Sequence, residues 1–457
     1  MLNRRQLLGT LSAGSLAALA PLPSLAAARS VIVVGGGMAG ATVAKYLRLW
    51  SGSTIDVTLV TPDPTYVSNI MSNLVVTGQV AYSSLQFTYG NLTKKYGVKV
   101  VYGSVTGING YAGLVSDATS GVAVTLSNST LTTLYSDRLV LATGIQFDGV
   151  PLTGSPGLYA PVLHAWQAGA QTVELQKQLA AMPNGGTFVL TIPPKPYRCP
   201  PGPYERACVV ADYLKRNKPG AKIYVLDANS GITAEPVNFG NAFDQYKAAG
   251  VLEYWPSTSV LSVSAGNGAG KNQTVSFNSG STKTINGQTV TAITGTVVNV
   301  IPPHRAPDLL KTSGLLDGSE TNFARVSVDT FVSMVANKER IHVIGDASET
   351  SLPKAGHVAN QEAKICASAI ISLFNGTPVE PMPTANSACF SPINNTQASW
   401  LTAVYQYNKD LPANKRFEIW DDVSLTKGVA TEAAFPSTGN FSKMNGWYKV
   451  LMAETFS

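Results

Sequence analysis

The sequence predicts an α/β chain in which one βαβ domain is interrupted by a second and followed by a separate C-terminal region. Three observations carry that expectation. An apolar, β-branched run, Val31–Val34, leads into a glycine-rich turn and a helix-forming stretch, "GGGMAGATVAKYLRL". Two later strand-like runs, "DRLVLATGI" and "RIHVIGDAS", end in small residues. Between them a further strand–turn–helix–strand series runs from "GGTFVLTIPP" to "AKIYVLDAN". At 457 residues the chain also exceeds one ordinary core.

The first element is a leader. "MLNRRQLLGTLSAGSLAALAPLPSLAAARS" carries Arg4 and Arg5, then a mildly apolar run, then Pro21, Pro23 and small residues at Ser24, Ala26 and Ala28. This is the pattern of a twin-arginine-type signal over residues 1–28, and it places the mature chain in the periplasm. A membrane anchor is the weaker reading, because the run is only mildly apolar and ends in prolines. Twin-arginine export carries folded proteins, which suits a tightly held cofactor loaded in the cytoplasm. No later stretch is long and apolar enough to span a bilayer. Net charge is +6, two of it in the leader arginines. No basic run with interleaved aromatics occurs, which argues against nucleic acid. The 4 cysteines would face an oxidising compartment, where three pairings are open.

After the leader come the strand and the GxGxxG turn of Gly35, Gly37 and Gly40. These glycines permit a tight turn and the close approach of a pyrophosphate to a helix N-terminus. The second strand, "IDVTLVTPD", should end in an acid for the ribose; Thr61 stands there, with Asp63 two residues on. The Ala142-Thr143-Gly144 turn and the terminal Gly345-Asp346 follow in order. Together the three motifs resemble the FAD domain of two-dinucleotide-binding-domain, glutathione-reductase-like flavoproteins, in which the acid at Asp346 contacts the ribityl chain. The expected organisation is an FAD-binding domain over residues 29–150 and 291–375, an inserted Rossmann-like domain over 151–290, and a C-terminal interface region over 376–457.

The inserted domain keeps its helices, "ELQKQLAAM" and "YERACVVADYLKRN", but its turn reads "PPKPYRCPPGP". Proline has no N–H to offer a phosphate and fixes the chain where glycine would let it approach. Nicotinamide is therefore not the expected electron partner, and the loop instead presents Cys199.

At this loop the chain resembles the flavoprotein subunit of flavocytochrome c sulfide dehydrogenase. The resemblance rests on "RCPPGPYERA", "HAWQAG", "NVIPPHRA", "HVIGDA", "LPKAGHVAN", "NSACFS" and "WYKVLMAETFS", and spans Val31 to Ser457. It implies a redox disulfide between Cys199 and Cys389 beside the flavin. Sulfide would attack it to give a persulfide and a thiolate, with electrons leaving through FAD to a c-type cytochrome subunit and sulfur or polysulfide as product. It also implies a proton-shuttling role for Glu205 and places Lys354 and Gly356 at the cofactor. From spacing alone, a structural bond closing a loop of about 190 residues, worth on the order of 5 kcal/mol, remains open beside the catalytic one. For Glu205 a first-turn helix acid is the alternative. Cys208 and Cys366, in apolar helical stretches, read as core.

The chain also departs from that family. No cysteine precedes Cys199, and Asn69 stands near the place where some members tether the flavin, so FAD is expected to be non-covalent. His357 replaces an aromatic, while Trp447 matches a second one. The chain has no C-x-x-C-H for a haem of its own, and His164, His304, His342 and His357 form no metal-ligand pattern. Two other readings compete: a sulfide:quinone oxidoreductase-like enzyme, which needs an apolar membrane-facing C-terminus, and a non-catalytic flavin electron-transfer partner of a sulfur-oxidation system.

Overall fold

The computed structural model describes residues 29–109, 120–126, 131–150, 152–153, 162–264, 272–419 and 431–457; the expected leader lies outside them. We label the elements that position the site. The first part contains β1 (Arg29–Val34), α1 (Met38–Trp50), β2 (Ile55–Thr61), α2 (Ser72–Val76), β3 (Lys99–Asn109) and β4 (Arg138–Leu141). A central unit follows with β5 (Thr187–Ile192), α3 (Gly202–Asn217), β6 (Lys222–Asp227), β7 (Leu252–Trp255) and β8 (Val297–Val300). The chain returns through β9 (Ile341–Val343) and α4 (Gly356–Asn375), and ends with β10 (Ala385–Pro392), β11 (Ala398–Tyr407) and α5 (Thr438–Phe456).

Strands β9-β4-β1-β2-β3 lie side by side and parallel at the centre of a 10-stranded sheet. Val31–Val34 are buried in succession, as expected of a parallel strand covered on both faces. The strand order reverses at β1, so the crevice for a ligand opens beyond the carboxyl ends of β1 and β4. There Gly35 takes φ +107°, and a Cβ on it would lie 2.3 Å from the Ala142 carbonyl oxygen. A Cβ on Gly40 would lie 1.7 Å from the Gly35 carbonyl oxygen. These two glycines are required by packing within the turn.

The central unit is a 4-stranded parallel sheet, β7-β6-β5-β8. Val297–Val300 pairs with Phe188–Thr191, so this unit closes beyond the boundary at residue 290 expected from the sequence. The reason is tertiary: an apolar strand of four residues joins whichever sheet edge it reaches.

Cys389, in a Ser/Pro/Asn-rich stretch, lies on β10. Eight registered pairs with β11, among them Cys389 with Leu401, hold that strand in place despite its weak intrinsic propensity. The C-terminal helix folds back on the first domain. Phe456 is buried and stacks on Tyr66 and Phe87, and Lys45 Nζ donates to the carbonyls of Glu454 and Ser457 at 2.7 and 2.8 Å. Among the described residues no helix is long and apolar enough to cross a membrane.

Candidate active site

One cleft of about 1200 Å³, counted out to its mouth, brings most of the predicted residues together, though Gly35, Gly40, Thr61, Thr143 and Lys354 do not line it. Gly37, Met38 and Ala39 at the start of α1 form one wall, with Ala142, Gly144, Gly345 and Asp346 beside them. Cys199, Glu205 and Cys389 share the same cleft, as do Gly356, His357 and Trp447. All four cysteines are free thiols in the structure, so Cys199 and Cys389 are brought into one cleft without being linked. Cys208 and Cys366 are fully buried in the core.

The proline loop is fastened on both sides. Arg198 N–H donates to His304 Nδ1 at 2.8 Å, and Cys199 N–H to the Lys354 carbonyl at 2.7 Å. Trp166 Nε1 donates to the Arg198 carbonyl at 3.2 Å. Cys199 itself takes φ 59°, a left-handed conformation that a non-glycine residue holds only when its surroundings impose it. At Gly202 a Cβ would lie 2.8 Å from Cys199 Sγ and 2.9 Å from the Trp166 ring, so glycine there leaves room for the thiol.

The electrostatics of the pocket favour protonated groups. Burial raises the Cys199 thiol well above its ordinary pKa, with Cys389 and Glu205 adding to the effect. Burial pushes Cys389 up to about 12, helped by Glu235 and Glu205. Glu205 is 8% exposed, and burial raises it to about 8 against the opposing hydrogen bond from Asn73 Nδ2 at 2.8 Å. A carboxyl that titrates near neutrality inside a cleft can accept and return a proton. Glu205 does lie in the first turn of α3, as the alternative reading has it, yet it also faces the cleft.

The second nucleotide site is filled by the protein itself. β6 still ends in an acid, Asp227, at the position that would bind a ribose. Asp227 is fully buried and accepts from Tyr204 OH at 2.8 Å, Tyr254 OH at 2.7 Å and the Asn229 backbone N–H at 2.9 Å. Asn229 in turn accepts the Lys195 N–H of the proline turn at 3.2 Å and donates to the Pro193 carbonyl at 3.0 Å.

Comparison with known proteins agrees with this geometry. Residues 172–302 match the family model for the central domain of the flavoprotein chain of sulfide dehydrogenase (flavocytochrome c), and residues 29–181 match that for pyridine nucleotide-disulphide oxidoreductases. Over its central part the chain is thus similar to the flavoprotein chain of flavocytochrome c sulfide dehydrogenase. Its fold is that of the pyridine nucleotide-disulphide oxidoreductases. It is similar to the sulfide:quinone oxidoreductase of the hyperthermophilic bacterium Aquifex aeolicus, with TM-score 0.70 and 16% identity over 94% of this chain and 92% of that one. It is also similar to NDH2 from Plasmodium falciparum, with TM-score 0.63 and 10% identity over 94% and 96%. A third similar structure is an NAD-dependent persulfide reductase from A. fulgidus, with TM-score 0.55 and 16% identity over 83% and 71%. At these identities the likeness is one of fold. The two matches together support an FAD-dependent oxidoreductase acting on sulfur compounds.

The residues present fit FAD. Gly37, at the start of α1, would keep its nearest neighbour 3.8 Å from an added Cβ, so its backbone is open to close approach, and the first turn of α1 carries no acid. Asp346 Oδ1 and Thr143 Oγ1 are buried without partners, as atoms awaiting a polar ligand would be. Asp346 Oδ2 is held by Arg198 Nε at 2.6 Å. The remaining predicted residues have other duties. Lys354 donates to the Asp346 and Ser348 carbonyls at 3.0 and 2.7 Å, and burial lowers its pKa. It braces the turn behind the cleft. Thr61 is buried under the glycine turn, beside Tyr89, whose hydroxyl donates to the Gly36 carbonyl at 3.0 Å. His357 Nδ1 accepts the Ala388 N–H at 3.0 Å and so fixes the strand next to Cys389.

Reading the sequence missed the hub beneath the loop. Arg206 is fully buried; its guanidinium donates to Asn73 Oδ1 and Asn299 Oδ1 at 2.8 Å, and to the His164 and Ala165 carbonyls at 2.9 and 2.7 Å. It also lies 4.7 Å from the Trp166 ring centre. The matched segments "HAWQAG", "PYERA" and "NVIPPH" meet at this one side chain, and their co-occurrence was the only signal for it. Asn69 Oδ1 accepts the Ala168 N–H at 2.7 Å, tying the second strand's loop to the same hub.

Proposed function

We propose that the protein is a periplasmic sulfide dehydrogenase flavoprotein that oxidises sulfide through a Cys199–Cys389 disulfide and passes electrons to a c-type cytochrome subunit. The observation that carries this reading is the meeting of Cys199 and Cys389, from distant parts of the chain, in the cleft that begins at the dinucleotide turn. Hydrosulfide attacks one sulfur of the oxidised pair; the S–S bond breaks, a persulfide forms, and the other cysteine leaves with the electron pair. The sulfide sulfur is thereby oxidised and the disulfide reduced. FAD, held non-covalently because no cysteine precedes Cys199, supplies two-electron acceptance and one-electron release. Glu205 takes the proton of incoming sulfide, and the bonds from His304, Lys354 and Trp166 hold Cys199 for attack. A nicotinamide route is opposed by the saturated Asp227 and the proline turn. A quinone route is opposed by α5, whose Met444, Leu451, Met452 and Phe456 are buried in the core of the first domain.

The test uses four single Cys→Ser variants. Cys199→Ser and Cys389→Ser should retain flavin yet lose sulfide-dependent flavin bleaching and cytochrome c reduction, while Cys208→Ser and Cys366→Ser keep both. Near-normal turnover in Cys199→Ser would overturn the reading. Flavin that stays oxidised under sulfide in the wild-type protein would favour the non-catalytic partner instead.

A further inference from the structure

Glu235 has no place in the scheme above, and no sequence motif singles it out. It is 1% exposed, more deeply buried than Glu205. Its backbone takes φ 51°, a left-handed conformation uncommon for a side chain of this kind. One carboxyl oxygen, Oε1, accepts the Ser391 hydroxyl at 2.5 Å. The other, Oε2, is buried without a partner. Such a group in a native interior calls for an explanation.

Its location supplies one. Ser391 lies two residues beyond Cys389 on β10, and the register with β11 runs unbroken through both. Side chains two apart on a strand share a face, so Ser391 and Cys389 point to the same side of β10. Ser399, the cross-strand partner of Ser391, lies beside Glu235, and its hydroxyl is held by Asn238 Nδ2 at 2.9 Å. The carboxyl is therefore anchored through the Ser391 hydroxyl to the hairpin that carries the second cysteine.

We propose that Glu235 is the second proton-holding carboxyl of the site, tied to the Cys389 strand through Ser391 and setting the protonation of Cys389 as Glu205 serves Cys199. The proposal rests on the dithiol reading given above. When the disulfide opens and the electron pair stays on Cys389, hydrosulfide has become Cys199–S–SH and Cys389 carries a thiolate. That thiolate gains a proton, and neutral Glu235 becomes a carboxylate. Once a second hydrosulfide has taken the outer sulfur off Cys199 as hydrodisulfide, leaving the Cys199 thiol, re-forming the S–S bond would give up two electrons to bound FAD and two protons, one of them returning to Glu235. Glu235 acts through its charge and through Ser391, so it is a positioning residue.

The titratable groups that face it are consistent with this role. Glu205 and Cys208 come from α3, Cys389 from β10, and Glu432 from the short strand paired with β11. Burial raises Glu235 to about 7, against the pull of Ser391 and Ser399. Its ionisation is the leading charge effect on Cys389, whereas Cys199 responds instead to Cys389, Glu205 and Asp346.

The experiment is site-resolved alkylation. Flavin-loaded protein is reduced with dithiothreitol, exchanged into buffer, and treated with iodoacetamide from pH 6 to pH 10; labelling of each cysteine is read by peptide mass spectrometry. In Glu235→Gln the Cys389 midpoint should move down by about one pH unit, so labelling at pH 8.5 rises about tenfold, while Cys199 changes less than threefold. If the Gln variant is not recovered folded, Ser391→Ala should move Cys389 the same way by about threefold, because a carboxyl without its hydroxyl partner keeps its proton to higher pH. A Cys389 rate within twofold of wild type at normal flavin content would overturn the proposal, as would an equal change at Cys199. The readout needs no sulfide turnover. Failure of the dithiol mechanism would appear only in the Cys→Ser assays.

Discussion

Replacing Glu205 by glutamine tests whether this carboxyl is a proton carrier. Its folded pKa of about 8 lies above the reference value of 4.5. Between those values the folded protein binds a proton that the unfolded chain has lost. The contribution is fully present below pH 4.5 and is lost as pH rises through 8, at about 1.4 kcal/mol per pH unit. Glutamine mimics the neutral acid, can still accept from Asn73 Nδ2, and does not titrate. From pH 5.5 to pH 7.5 the wild type should therefore lose about 3 kcal/mol relative to Glu205→Gln. Groups common to both proteins largely cancel in the comparison. Urea unfolding of the flavin-loaded proteins, followed by tryptophan and flavin fluorescence at three pH values, measures the difference in midpoints. The variant's advantage should grow with pH, while its sulfide-driven flavin bleaching falls by roughly 10²-fold or more. A midpoint difference that stays constant with pH would refute the raised pKa, and unchanged bleaching would refute the proton-carrier role.

Three further outcomes are expected. Anaerobic NADH or NADPH in excess should leave the flavin absorbance unchanged over minutes, since Asp227 is spent on Tyr204 and Tyr254; rapid bleaching would contradict the filled second site. Acid precipitation should release yellow flavin to the supernatant, and a coloured pellet would show a covalent link. Gly202→Ala should slow sulfide-driven bleaching at least tenfold with flavin content preserved, because the added methyl falls 2.8 Å from Cys199 Sγ and displaces the thiol or the Trp166 ring; stopped-flow absorbance at saturating sulfide measures it, and a wild-type rate would mean that the loop absorbs the change.

The first domain was legible because its signals are local. A glycine turn between an apolar strand and a helix is dictated by backbone sterics within six residues, and the structure places Gly35 and Gly40 where any Cβ would strike a carbonyl. The proline turn was equally local, since missing N–H groups are a property of the residues themselves. The cores around Cys208 and Cys366 followed from helical periodicity. Long-range pairing was not legible. Val297–Val300 could join either sheet, and Cys389 sits in a segment whose composition reads as loop until β11 pairs with it. Nothing in the local sequence singles out Arg206 or Glu235. Each became a buried group with a task only when distant segments closed around it. Hydrogen-bond satisfaction and desolvation depend on which neighbours exclude water, and the linear order of residues does not specify those neighbours. For this protein, then, the sequence by itself determined a dinucleotide turn, a cysteine on a rigid loop and the absence of a second phosphate cradle. Tertiary packing alone decided that the two cysteines meet Glu205 in one cleft and that a second carboxyl, Glu235, is buried against the Cys389 strand, because only packing removes the water that would otherwise keep those carboxyls ionised.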